Sequence, residues 1–183
     1  MKKIIIIGGK WKNYKLYVYN DYNLRPTIHI IKKKLFNWIN PILKNSKCLD
    51  CFAGSGSLGI EALSRYSKLV IFIEKNFKLF KRLKKNLTLF KYNKYIINSN
   101  VIKWLKKKSL IRFNIVFLDP PFYKNLLNKT IYLLEKNKYL STKTIIYIES
   151  EKNYIIKIPK NWYIKKFKII GNILIRLYLR LNK

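Results

Sequence analysis

Asp50, Glu74, Asp119 and Glu149 each follow a short apolar run: Lys47-Cys48-Leu49, Leu69 to Ile73, Ile115 to Leu118 and Ile145 to Ile148. The chain of 183 residues holds only eight acidic side chains against 40 Lys and Arg, a net charge of +32. Apolar runs of this length read as buried parallel strands, and in an open α/β sheet ligands bind in the crevice beyond the strands' carboxyl ends. Half of the scarce carboxylates are therefore expected at a ligand-binding edge. An enzyme or a nucleotide binder fits that placement.

Asp50-Cys51-Phe52-Ala53-Gly54-Ser55-Gly56-Ser57-Leu58-Gly59 carries three of the six glycines between the first such run and a helix. Gly54 and Gly56 let the backbone turn tightly against a ligand, Gly59 lets helix and strand pack closely, and the helix start offers free N–H groups. Glu74, twenty positions after Gly54, ends the next strand, where a carboxylate can accept from both ribose hydroxyls. Loop and acid together point to an adenosine-containing cofactor, NAD or S-adenosylmethionine. Asp50 favours the second, since an acid beside the glycines repels a pyrophosphate but pairs with the ammonium of a methionine moiety.

Asp119-Pro120-Pro121-Phe122 closes the fourth core strand. An exocyclic amine on a nucleobase is a poor nucleophile because its lone pair is conjugated with the ring. An enzyme that alkylates it must hold both N–H bonds in acceptors. The Asp119 carboxylate and the Pro120 carbonyl can be those acceptors, Pro120 and Pro121 fix the loop and remove donors, and Phe122 offers a stacking face.

These residues require a scaffold, and the chain supplies one. Strands at 47–51, 69–74, 94–98, 114–119 and 144–149 alternate with helices at 57–66, 76–92, 101–108 and 124–137, which implies a parallel sheet with right-handed crossovers. Two further strand-like runs, Tyr163 to Ile170 and Ile173 to Leu181, flank Gly171-Asn172 and read as an antiparallel hairpin. Seven strands are expected in all. Ahead of them, Ile4 to Ile7 and Tyr14 to Tyr19 read as a basic hairpin. Ile28, Ile31, Leu35 and Ile39 then mark one face of a helix after Pro26, with Lys32 to Lys34 on its outer face. The expected division is a basic extension over residues 1–45 and a catalytic domain over 46–183.

The charge would attract phosphate backbones, although Lys, Asn, Ile, Tyr and Phe are the products of AT-rich codons. Cys48-x-x-Cys51 lacks a second ligand pair and is expected to be structural, and the lone His29 completes neither a metal site nor a triad. No metal is expected. With no long apolar span and no signal-peptide core, a soluble, cytoplasmic monomer is expected, with no membrane partner.

Asp50 to Gly59 together with Asp119 to Phe122 resembles the class I methyltransferases of exocyclic amines. The motifs Ile7-Gly8-Gly9-Lys10, Leu24-Arg25-Pro26-Thr27, Leu35-Phe36-Asn37-Trp38, Glu61-Ala62-Leu63-Ser64-Arg65, Asn98-Ser99-Asn100 and Tyr147-Ile148-Glu149-Ser150-Glu151 resemble the RsmD family over nearly the whole chain. The resemblance implies a Rossmann-like α/β fold with a seven-stranded, mostly parallel sheet. It also implies S-adenosylmethionine-dependent methylation of one guanine N2 in 16S ribosomal RNA, met in a small-subunit assembly particle. Asp50, Phe52, Ala53, Gly54, Ser55 and Gly56 would then hold the methionine end, Glu74 the ribose, Asn100 and Val101 the adenine, and Asp119 to Phe122 the guanine. Lys10, Lys12, Lys15, Arg25 and Lys32 are the expected RNA contacts. The chain departs from the family pattern at His29-Ile30, where an Asp-Arg pair is usual, and at Asn13, where a glycine is. Rival readings are an adenine-N6 methyltransferase, a glutamine-N5 protein methyltransferase and a non-catalytic ribosome-assembly factor; the acids at both positions argue against the last.

Overall fold

A computed structural model describes residues 2–18, 26–92, 95–121 and 125–181. Five parallel strands form its centre: β3 (Lys47–Asp50), β4 (Leu69–Glu74), β5 (Ile96–Asn98), β6 (Phe113–Leu118) and β7 (Leu140–Glu151). The hairpin β8 (Trp162–Ile170) and β9 (Ile173–Leu181) completes a seven-stranded sheet in the order β5-β4-β3-β6-β7-β9-β8, with β9 antiparallel to both neighbours. The chain steps outward from β3 to β5, then returns to place β6 on the other side of β3. Loops leaving β3 and β6 diverge there, and a crevice opens between them.

Side-chain alternation sorts the sheet into two packed faces. Cys48, Val70, Phe72, Ile115, Phe117 and Tyr147 face α1 (Pro26–Leu43), α2 (Ser57–Ser64) and α3 (Phe77–Thr88). Leu49, Ile71, Ile73, Val116, Leu118, Ile146 and Ile148 face α4 (Val101–Leu105) and α5 (Leu126–Lys136). Helices lie on both faces of the sheet, as the alternation of elements predicts.

Boundaries differ from the sequence reading where long-range contacts outvote local pattern. β7 runs to Glu151 because β9 pairs with it from Lys143 to Glu151, so Glu149 sits inside the strand and does not end it. α3 stops at Thr88: Lys91 takes a left-handed φ of 55°, and Tyr92 turns inward to hydrogen-bond both the N–H and the carbonyl of Val70. α1 continues through Pro41 to Leu43, which is wholly buried.

β1 (Lys2–Ile5) and β2 (Lys15–Val18) form a separate antiparallel pair around a 3-10 turn at Gly9–Trp11. Buried Ile4, Leu16 and Val18 of this pair, with Ile6 just beyond β1, join the same core as α1 and α2. Polar locks fix the seam. Ile7 N–H donates to Glu61 Oε2 at 2.9 Å, Trp11 N–H to Ser64 Oγ at 3.0 Å, and Ser64 Oγ to the Gly8 carbonyl at 2.6 Å. Gly9 is required twice over, by a φ of +77° and because a Cβ would sit 1.9 Å from the Ser64 carbonyl. Asn13 adopts φ +69°, the left-handed conformation that Asn tolerates best after glycine. No helix among the described residues is long and apolar enough to cross a membrane.

Candidate active site

A cleft of about 960 Å³ opens where β3 and β6 diverge. Its walls include Asp50, Phe52, Ala53, Gly54, Ser55, Glu74, Asn100, Val101, Asp119, Pro120 and Pro121. One crevice thus collects the ends of three strands and the start of a short helix, positions separated by up to 71 residues in the chain.

The glycine loop is held by the carboxylate that was read as its ribose partner. Glu74 Oε2 accepts the Gly54 N–H at 2.7 Å, and Oε1 accepts the Asn76 N–H at 2.6 Å. Each oxygen keeps a lone pair for a further donor. Gly54 has φ +53° and Gly56 φ +81°, so both stand where a side chain would be strained. Gly56 does not line the cleft. It caps the start of α2, and a Cβ there would meet Leu83 Cδ1 at 2.3 Å. Gly59 behaves as its position predicts: a Cβ would lie 2.2 Å from the Phe72 ring.

Asp50 is 3% exposed and accepts the Gly59 N–H at 3.1 Å. Burial pushes its carboxyl up to about 7, against the pull of that N–H, with Asp119 and Glu74 adding repulsion. Asp119 is likewise raised by burial, to about 6. A third acid stands beside them. β6 and β7 run in register from Leu118 and Ile148, so Asp119 and Glu149 occupy the next pair of positions on the same side as Phe117 and Tyr147. Glu149 accepts the Tyr147 hydroxyl at 2.7 Å, and burial with the Asp119 charge holds its carboxyl well above the ordinary value. Buried carboxyls this close resist ionising together, and a cationic ligand would relieve them.

Asn100 caps α4 with its side-chain oxygen on the N–H groups of Ile102 and Lys103, at 2.8 and 3.3 Å. Its carbonyl accepts the Trp104 N–H at 3.0 Å, so its side-chain amide nitrogen is the group that remains for a ligand. Val101 supplies the apolar wall beside it. Phe122 and Arg25 lie outside the described residues.

Of the expected RNA contacts, Lys10, Lys12 and Lys15 are exposed on the hairpin, and Lys10 lies over the Trp11 ring at 4.5 Å. Lys32 is a correction. It is 2% exposed, donates to the Ile5 carbonyl at 2.7 Å and lies 3.5 Å from Glu61, itself paired with Arg65 at 2.9 Å. Helical periodicity put Lys32 outside; the hairpin, which packs over that turn of α1, covers it. Desolvation pulls its ammonium below the usual lysine range, although Glu61 opposes the shift.

Sequence reasoning missed Ser57. Its Oγ is buried, makes no hydrogen bond and borders the cleft, and only its place as first residue of α2 hinted at a ligand donor. It missed Ile4 as well, which reaches the cleft from β1. Cys48 and Cys51 are both free and buried, with the Cys48 thiol pushed up to about 12 by burial, as inert core residues would be. No cluster of metal-ligating side chains occurs among the described residues.

Comparison with known proteins agrees with this geometry. Ribosomal RNA small subunit methyltransferase D of Buchnera aphidicola subsp. Acyrthosiphon pisum is 47% identical over 178 residues, covering 97% of this chain and 93% of the relative. The protein of the same name from Escherichia coli K12 is 44% identical over 180 residues, covering 97% and 90%. The solved structure of yhhF from Escherichia coli superposes with a TM-score of 0.91 at 41% identity over the full length of both chains. The family described as Conserved hypothetical protein 95 matches residues 4–179, nearly the whole of the region that carries the fold and the cleft. With that match and such relatives, the chain belongs to this family, the RsmD-type methyltransferases.

Proposed function

We propose that this chain transfers a methyl group from S-adenosylmethionine to the exocyclic N2 amine of a guanine in small-subunit ribosomal RNA. The observation that carries this reading is the joining of two parts across one crevice: the Glu74-anchored glycine loop after β3 and the Asp119-Pro120-Pro121 turn after β6. Relatives at 44–47% identity that carry the name of a small-subunit ribosomal RNA methyltransferase support the substrate class.

The donor set fits the cofactor. Asp50 would take the ammonium, Glu74 the ribose hydroxyls, Ser57 Oγ a polar atom of the ligand, and Phe52, Leu79 and Val101 the apolar surface around the adenine. When bound, S-adenosylmethionine supplies an electrophilic methyl group. The chain's own residues do the rest. Asp119 and the Pro120 carbonyl accept the two N–H bonds of the amine, which turns its lone pair away from the ring and towards the methyl carbon. As the N–C bond forms, N2 becomes cationic, and Asp119 takes the proton that must leave. Burial suits Asp119 to that role, since a carboxyl raised to about 6 is ionised at neutral pH yet more basic than an exposed one.

The RNA would be met in a partly assembled small subunit, gripped through the hairpin cations. The test is incubation of the protein with isotopically labelled S-adenosylmethionine and undermethylated small subunits, followed by nucleoside analysis of the digested RNA. N2-methylguanosine is expected. N6-methyladenosine would transfer the chain to the adenine-directed class, and label on protein alone would remove RNA as substrate.

A further inference from the structure

Phe77 begins α3 three positions beyond Glu74, and 55% of its surface is exposed. Its ring stacks on Phe80 with centroids 6.1 Å apart and planes at 18°, and Lys81 Nζ lies 4.6 Å from its centre. Lys75, Asn76 and Leu79 of the same stretch border the cleft, and Phe77 and Phe80 lie next to them in the chain, outside its lining. Lys78, Lys81, Lys84 and Lys85 face solvent along the helix, whereas Leu83, Asn86 and Leu87 are buried. The other end of α3 meets the hairpin: Asn86 Nδ2 donates to the Tyr17 carbonyl at 3.0 Å, and Phe90 stacks on Trp11 at 4.1 Å beneath Lys10. No Asp or Glu occurs between Glu74 and Asp119. A basic, aromatic-ended track of about 18 Å therefore joins the cleft to the hairpin.

Lysines on the outer face of a helix need no special cause, but an exposed Phe77 ring stacked on a half-buried Phe80 beside a cleft and amid lysines offers a ready stacking surface. Folding gains little from the outer ring. A nucleic acid base gains much, since its π-face can cover Phe77 while its phosphates meet the lysines that follow. A base inside a duplex cannot reach such a ring, which selects an unpaired stretch.

We propose that the start of α3, Phe77 backed by Phe80 and flanked by Lys78 and Lys81, is a landing surface for a single-stranded segment of the substrate RNA. A nucleotide next to the target base stacks on Phe77, and the backbone follows Lys78, Lys81 and Lys85 towards the hairpin. The assignment rests on RNA being the methyl acceptor.

The test measures methyl transfer to undermethylated small subunits, with S-adenosylmethionine affinity and thermal stability determined in parallel. Phe77→Ala should raise KM for the particle about tenfold, the size of a lost base stack, with cofactor affinity and Tm unchanged. Phe77→Trp should restore it. Changing Lys78, Lys81 and Lys85 together to Ala should flatten the slope of log affinity against log salt by about two units, given roughly 0.7 for each phosphate contact on a single strand. Phe167→Ala is the control, an aromatic 64% exposed on the outer strand β8. An unchanged KM in Phe77→Ala, equal losses in Phe77→Ala and Phe167→Ala, or a fall in cofactor affinity instead of RNA affinity would each overturn the proposal. Failure of the unmodified protein to methylate the RNA at all would instead remove the functional reading on which it rests.

Discussion

Burial raises both Asp119, to about 6, and Asp50, to about 7, for different ends. Asp119→Ala is expected to retain cofactor binding and to lose about 100-fold or more in single-turnover rate, because its contact with the amine strengthens as charge develops; rapid-quench methyl transfer checks this. Asp50 governs a pH dependence. Its folded value of about 7 exceeds the ordinary 3.8, so the folded state holds the proton longer than the unfolded chain does. The stability that Asp50 contributes is therefore fully present below about pH 4 and lost as pH rises through about 7. A cationic ligand reverses the preference, so cofactor binding at pH 6 to 7 should release a proton. Calorimetry in buffers of different ionisation enthalpy would detect that proton, and Asp50→Asn should abolish it. For Glu74, conversion to Ala should weaken cofactor binding by about 1.5–3 kcal/mol, since acceptance from two ribose hydroxyls is lost along with the charge. Titration calorimetry of the folded variant decides it.

At the scale of elements, the crevice depends on how closely α2 approaches β4. Gly59 has no side chain where a Cβ would meet the Phe72 ring at 2.2 Å. Gly59→Ala should therefore destabilise the fold by about 1–3 kcal/mol, the usual cost of overpacking. Gly59→Ala combined with Phe72→Leu should recover part of it, as denaturant midpoints would show. α2 also carries Glu61, whose buried carboxylate gathers Ile7 N–H, Lys32 and Arg65 and so ties the hairpin to the catalytic layer. Because Ile4 of that hairpin also borders the cleft, the hairpin and the candidate site share one packed seam.

Over the whole molecule, the acids are confined and the cations are spread. Glu61, Asp50, Glu74, Glu149 and Glu135 each have internal partners: Glu135, for example, is clamped by Arg180 at 3.0 Å and by the Trp162 indole at 2.6 Å. Lys10 and Lys12, exposed on the hairpin, and Arg25, in the motif that follows it in the chain, are the cations expected to matter most for RNA. Changing Lys10, Lys12 and Arg25 together to Ala should flatten the salt dependence of RNA binding, whereas the same change at Lys136, Lys138 and Lys143 should leave it nearly unaltered. Equal losses from both sets would mean that the +32 charge acts as a diffuse field.

Local chemistry wrote much of this into the chain. Apolar runs ended by acids, glycines at a strand-to-helix turn and a double proline are short-range signals, and they mark Asp50, Glu74 and Asp119 without reference to any long-range contact. The rest depends on residues that are neighbours only after folding. Lys32 reads as a surface cation because its helical neighbours are lysines, yet the hairpin from 27 positions earlier covers it and Glu61 neutralises it. Glu149 reads as the end of a strand, until β9, arriving from the far end of the chain, extends β7 past it. Ser57 and Phe77 carry no motif. Burial without a partner in the first, and exposure beside a cleft in the second, are properties of a surface, and a surface exists only once the sheet order has decided which loops diverge.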